Sequence, residues 1–154
     1  MPTAVERQNL IAKIANFPAA LDEGIAQFSE SQLDIPVRAG EWTVRQIVHH
    51  VADAHINGYI RMKMVVTENN PMLKPYDQDA WAELADMKTA IQPSIQILHG
   101  THARWASFLQ SLPEDAWPRT GVHLENGLLT LDELLLHYVH HCDTHIEQIK
   151  QLHF

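Results

Sequence analysis

The sequence predicts an all-α protein, a four-helix bundle with a long loop between helices two and three. Three observations predict it: apolar residues recur at three- and four-residue steps along four stretches, capping boxes open two of those stretches, and strand-like alternation is scarce. A length of 154 residues suits a single domain spanning 1–154. With 45% hydrophobic and 19% charged residues, the chain can fill a core and is not of the disordered class.

The first helix is expected over Ala4 to Phe28, where Leu10, Ile11, Ile14, Phe17, Leu21 and Ile25 keep helical spacing and Pro18 should break or kink it. A loop holding Pro36 and Gly40 leads to Thr43-Val-Arg-Gln46, a capping box that starts helix two. Its stripe of Val44, Ile47, Val48, Val51, Met62 and Val65 runs to about Thr67, and Asn69-Asn70-Pro71 stops it. From Pro71 to Met87 the polarity is mixed and the only periodic piece lies around Trp81, which predicts a loop with a short helix. Helix three spans about Thr89 to Leu112, weakened at Gly100 and ended by Pro113. Arg119 to Leu129 reads as a loose hairpin around Asn126-Gly127. A second capping box, Thr130-Leu-Asp-Glu133, opens the last helix, which reaches about Leu152.

Eleven basic against nineteen acidic side chains leave a net charge of -8, which argues against a general grip on nucleic acid or anionic membrane. No apolar run is long enough to span a bilayer. A single cysteine and an N-terminus without the build of a secretory signal fit a reducing, cytoplasmic setting.

The unusual residue is histidine, present eleven times. On the last helix His137, His141 and His145 fall at i, i+4 and i+8, a spacing that keeps all three on one face. Two imidazoles one turn apart can chelate a divalent ion, and a third ligand must then come from another helix. Helix two offers His49, His50 and His55. His49 points almost opposite the apolar stripe and is expected on the surface, whereas His55 falls within the stripe and is expected to be structural. His50 shares a polar flank with Asn57 and Arg61, as a substrate cleft requires. Periodicity alone leaves His50 and His55 open. His141-Cys-Asp-Thr-His145 has zincin spacing but lacks the glutamate base of those peptidases. Cys142 points aside and is expected to pack; His99 and His102 are expected on the surface.

The run Gly40-Glu-Trp-Thr-Val-Arg-Gln-Ile-Val-His-His-Val-Ala-Asp-Ala-His55 resembles the second-helix signature of the DinB-like superfamily, in its YfiT-like branch, to which the bacillithiol S-transferases belong. The likeness continues through Asn57 to Lys63, Lys74-Pro-Tyr-Asp77, Trp81, Val122 to Gly127 and the C-terminal histidine helix. It implies a four-helix bundle, usually dimeric, and one divalent ion held by His50, His141 and His145. Exposed Trp81 and Trp117 are the sequence's own support for a homodimer. Where the branch commonly has a tryptophan before the first ligand of the last helix and a His-Ile pair near its end, this chain has His140 and Gln148-Ile149. Imidazole ligands suit zinc or nickel first among the divalent metals.

Three neutral imidazoles leave the ion its full charge, so a thiol or water reaching it is strongly acidified. The leading expectation is a transferase that presents a small bacillithiol-like thiol to an electrophilic small molecule, with Arg61 and Asn57 binding the thiol and Lys63 or Lys74 in support. The alternative is a metal-dependent hydrolase in which His123 or Asp53 shuttles the proton; Glu125 is a further option. A non-catalytic metal-binding module of stress response comes third, since structural zinc usually has four protein ligands and three are found.

Overall fold

Capping chemistry sets the starts of three of the four long helices. The computed structural model describes residues 1–36, 38 and 40–152. Thr43 opens α2 (Val44–Thr67) and Thr130 opens α5 (Leu131–Lys150), each with the reciprocal capping box expected of it. A third box, which the sequence reading did not single out, joins Thr3 and Glu6 at the start of α1 (Ala4–Ile25). The short α3 (Gln78–Ala82) lies around Trp81, capped by Asp77, and α4 (Gln92–Gln110) has a proline in its first turn.

Pro18 does not break α1, which continues past it to Ile25. Proline removes one helical hydrogen bond, the one to the carbonyl of Ile14. That oxygen instead accepts from His102 Nδ1 at 2.6 Å.

The four long helices form the bundle. α1 packs on α4 and α5, and α2 packs on the same two, so the order round the bundle is α1, α4, α2, α5. The first and second long helices, α1 and α2, therefore sit across one diagonal, and the third and fourth, α4 and α5, across the other. The core they share includes Ile14, Leu21, Val51, Met62, Leu98, Trp105, Leu135 and Ile149.

The loop after α2 carries more structure than expected. β1 (Met72–Leu73) pairs in parallel with β2 (Thr120–His123), and β2 pairs antiparallel with β3 (Gly127–Thr130), giving a sheet in the order β1-β2-β3. The expected hairpin is present, turning through residues 124–126 into Gly127, whose φ of 75° suits a residue without Cβ. Because β3 runs directly into α5, the sheet ties the exit of α2 to the entry of α5.

Three sequence expectations are corrected by burial. His49 is buried, with Nδ1 2.8 Å from Ser94 Oγ and Nε2 3.2 Å from the Thr89 carbonyl, so the start of α4 covers the face that the wheel left open. His102 is fully buried, while His99 is exposed and pairs with Asp22. Trp117 is buried beneath the Arg7 guanidinium, 4.9 Å from its ring, and offers no outer surface for a dimer contact; Trp81 is exposed as expected. Arg7 is itself held by Asp132, at 2.7 Å in a buried pair that joins α1 to the start of α5. No helix among the described residues is long and apolar enough to cross a membrane.

Candidate metal centre

Facing positions on α2 and α5 bring His50, His141 and His145 together, with ligand atoms all within 4.8 Å of one another. Nε2 of His141 lies 3.2 Å from Nε2 of His50 and 3.2 Å from Nε2 of His145. Nitrogens bound to one tetrahedral zinc at about 2.0–2.1 Å stand roughly 3.3 Å apart, which the two spacings to His141 match. Burial keeps the rings neutral: it brings the pKa of His50 down to about 3 and that of His141 to about 2, and it lowers that of His145. The charge of neighbouring imidazoles adds to the effect at His50 and His141.

A neutral imidazole has one donor and one acceptor nitrogen. His145 Nδ1 is 2.8 Å from Gln148 Oε1, an oxygen that can only accept, so the lone pair of His145 is on Nε2. That pair points at the other two rings. The donor set is therefore one that a divalent ion fits: neutral nitrogen atoms, converging, at ligand spacing. The indole of Trp42 covers His50 with ring centroids 4.7 Å apart. A cleft of about 370 Å³ opens over the group, its wall including Glu41, Trp42, Gln78 and Gln148.

Other predicted residues are placed elsewhere. His55 is fully buried and lies behind His141 as a structural residue. Cys142 is buried 4.0 Å from His55 Nε2, and burial pushes its thiol pKa up, as suits a packing residue. His137 is one turn from His141, with ring centroids 6.3 Å apart, and is outside the three-nitrogen group. His123 ends β2, where its Nδ1 accepts the backbone N–H groups of Glu125 and Asn126 at 3.4 Å each and so closes the hairpin. Asp53 sits a turn beyond His50, its carboxyl pKa raised by burial and secondarily by Asp86. Neither His123 nor Asp53 lines the cleft. Asn57 donates to the Asp53 carbonyl, and Arg61 donates to Tyr138 Oη at 3.2 Å and to the Lys74 carbonyl, holding the loop after α2.

The sequence reading missed Trp42, Glu41 and Gln148 as parts of the site. Gln148 was legible in principle, since it is three residues beyond His145 on the same helix and could reach its ring.

A helical bundle with a three-histidine group between facing helices defines a class, and comparison places the chain within it. The DinB superfamily pattern matches residues 14–149, and the chain belongs to that superfamily. Among its relatives is YfiT of Bacillus subtilis, named "Putative metal-dependent hydrolase YfiT", 40% identical over 149 residues that cover 96% of this chain and 84% of that protein. Another, from Oceanobacillus iheyensis and named in the same terms, is 39% identical over 142 residues, 92% of this chain and 83% of the relative. The solved structure of B. subtilis YfiT, described as "a probable metal-dependent hydrolase with an unusual four-helix bundle topology", superposes with a TM-score of 0.93. It is 39% identical, and the match covers 97% of this chain and 86% of that one. The diagonal order of helices here is one way in which a four-helix bundle departs from the usual topology.

Proposed function

We propose that the protein is a metal-dependent enzyme in which His50, His141 and His145 hold one divalent ion, zinc or nickel, and that its reaction transfers a small thiol to an electrophilic small molecule. The ion, when bound, supplies Lewis acidity that acidifies a thiol or a water reaching it. The single observation that carries the reading is the convergence of three neutral Nε2 atoms at the floor of an open cleft.

Thiol transfer is favoured over hydrolysis because the cleft wall holds so few proton carriers. A thiolate needs no further base: its sulfur forms a bond to carbon, the leaving group departs with its electron pair, and the thiol proton has already gone to solvent. Hydrolysis of an ester or amide needs a proton delivered to the leaving group. Among the described residues lining the cleft, apart from the three histidines, Glu41 is the only titratable side chain. Hydrolysis is the second reading, supported by Glu41 and by the names of the relatives.

The test is a metal-reconstituted assay with monochlorobimane and a panel of small thiols, beside a simple alkyl ester whose alkoxide leaving group needs a proton. Conjugation that depends on metal, and falls by about a hundredfold or more in His141→Ala, is the expected result. Metal-dependent ester cleavage that falls in Glu41→Gln, with no conjugation of any thiol, would move the assignment to hydrolase.

A further inference from the structure

Two histidines that belong to no ligand set lie directly behind the three-histidine group. His55 on α2 and His102 on α4 are both 0% exposed. A polar ring so buried must find hydrogen-bond partners or bear the cost of its lost hydration. The partners are present, in single file. His102 Nδ1 is 2.6 Å from the Ile14 carbonyl oxygen, His102 Nε2 is 2.8 Å from His55 Nδ1, and His55 Nε2 is 3.0 Å from His141 Nδ1.

The direction of the file follows from Pro18. Its missing N–H leaves the Ile14 oxygen to a side chain. A carbonyl oxygen can only accept, and each neutral imidazole carries one proton. His102 therefore holds its proton on Nδ1 and accepts at Nε2. His55 must donate from Nδ1 and accept at Nε2, and His141 must donate from Nδ1. The lone pair of His141 is thereby left on Nε2, the atom 3.2 Å from Nε2 of both His50 and His145. Ile14, His102, His55 and His141 come one from each long helix, in the order in which the helices stand round the bundle.

We propose that His102 and His55 are positioning residues that, from the carbonyl freed by Pro18, fix the tautomer and ring orientation of His141 so that its Nε2 faces the metal position. This rests on the three-histidine reading. Ligand histidines are often backed by carboxylates, which raise their basicity. Here the file ends on a neutral carbonyl, and His145 is backed by a neutral amide, so neither ligand passes negative charge to the ion.

Long-range ¹H–¹⁵N NMR of the metal-free protein reports which ring nitrogen carries the proton. The expected result is Nδ1–H on His102, His55 and His141; an Nε2–H tautomer at His55 or His141, or averaging between the two, overturns the proposal. The second arm uses His102→Phe, which keeps a ring but removes both polar atoms. Its expected effects are a mixed His141 tautomer and a roughly ten- to hundredfold loss of Zn(II) affinity in a chelator competition. His102→Gln, whose amide can donate to Ile14 and accept from His55, recovers most of that affinity. Unchanged tautomer and affinity in His102→Phe would sink the idea. His50→Ala separates the two claims: it is outside the file, so it removes the ion and leaves the three tautomers as they are. Wild-type protein with the expected tautomers that binds no Zn(II) overturns the metal reading, and with it the purpose of the file.

Discussion

Five histidines, His50, His55, His102, His141 and His145, are held neutral, with burial the first cause at each. In the unfolded chain they titrate near 6.5. Protons therefore favour the unfolded state: stability from these rings is complete above about pH 6.5 and drains as pH falls toward the folded values, by up to about 1.4 kcal/mol per pH unit for each ring. Metal-free protein is expected to lose its helical circular dichroism cooperatively on acidification between about pH 6 and 4. A helical signal unchanged down to about pH 3 would show that the rings are not held neutral. At this scale the sequence told part of the story. Spacing put His141 and His145 on one face, but it could not bury His49 or His102, because what covers them is α4 and α1, more than 40 residues away in the chain.

Gly58 shows how closely two elements approach. A Cβ there would lie 2.5 and 2.6 Å from ring carbons of Tyr138 on α5 and 2.8 Å from Trp105 on α4, whereas at Gly100 it would meet nothing within 4 Å. The two glycines are both helical, and alanine is the better helix former by about 1 kcal/mol. Gly100→Ala is expected to raise the melting temperature by about 2–4 °C. Gly58→Ala is expected to lower stability by about 1–3 kcal/mol through overpacking, and to lower the melting temperature accordingly. Thermal unfolding of the two variants checks both, and equal shifts would refute the packing argument. The sequence marked Gly100 as a weak point from local propensity alone and passed over Gly58, whose constraint is a contact between helices. The same division runs through the fold: helix starts are written in local caps such as Thr43 with Gln46, while β1 exists only because β2, some 50 residues later, lies beside it.

The whole molecule closes round the site. His50 and His141 are 91 residues apart, and no unfolded chain holds them at ligand spacing. An ion that binds only the folded state stabilises it by about 2.7 kcal/mol at a hundred times its dissociation constant. Added Zn(II) or Ni(II) is therefore expected to raise the melting temperature by about 5–10 °C, reversed by chelator and absent in His141→Ala. An equal rise in that variant would place the ion elsewhere. The diagonal order of the helices lay beyond the sequence, since nothing local says which faces will meet. That order also changes how Pro18 looks to a protein engineer. A helix-interior proline invites replacement, since alanine is the better helix former there by as much as about 3 kcal/mol. Here the repaired helix would carry an amide aimed at the same oxygen that His102 uses. A more stable α1 and a well-set His141 are then competing goals, and a variant selected for heat resistance alone would drift away from the metal.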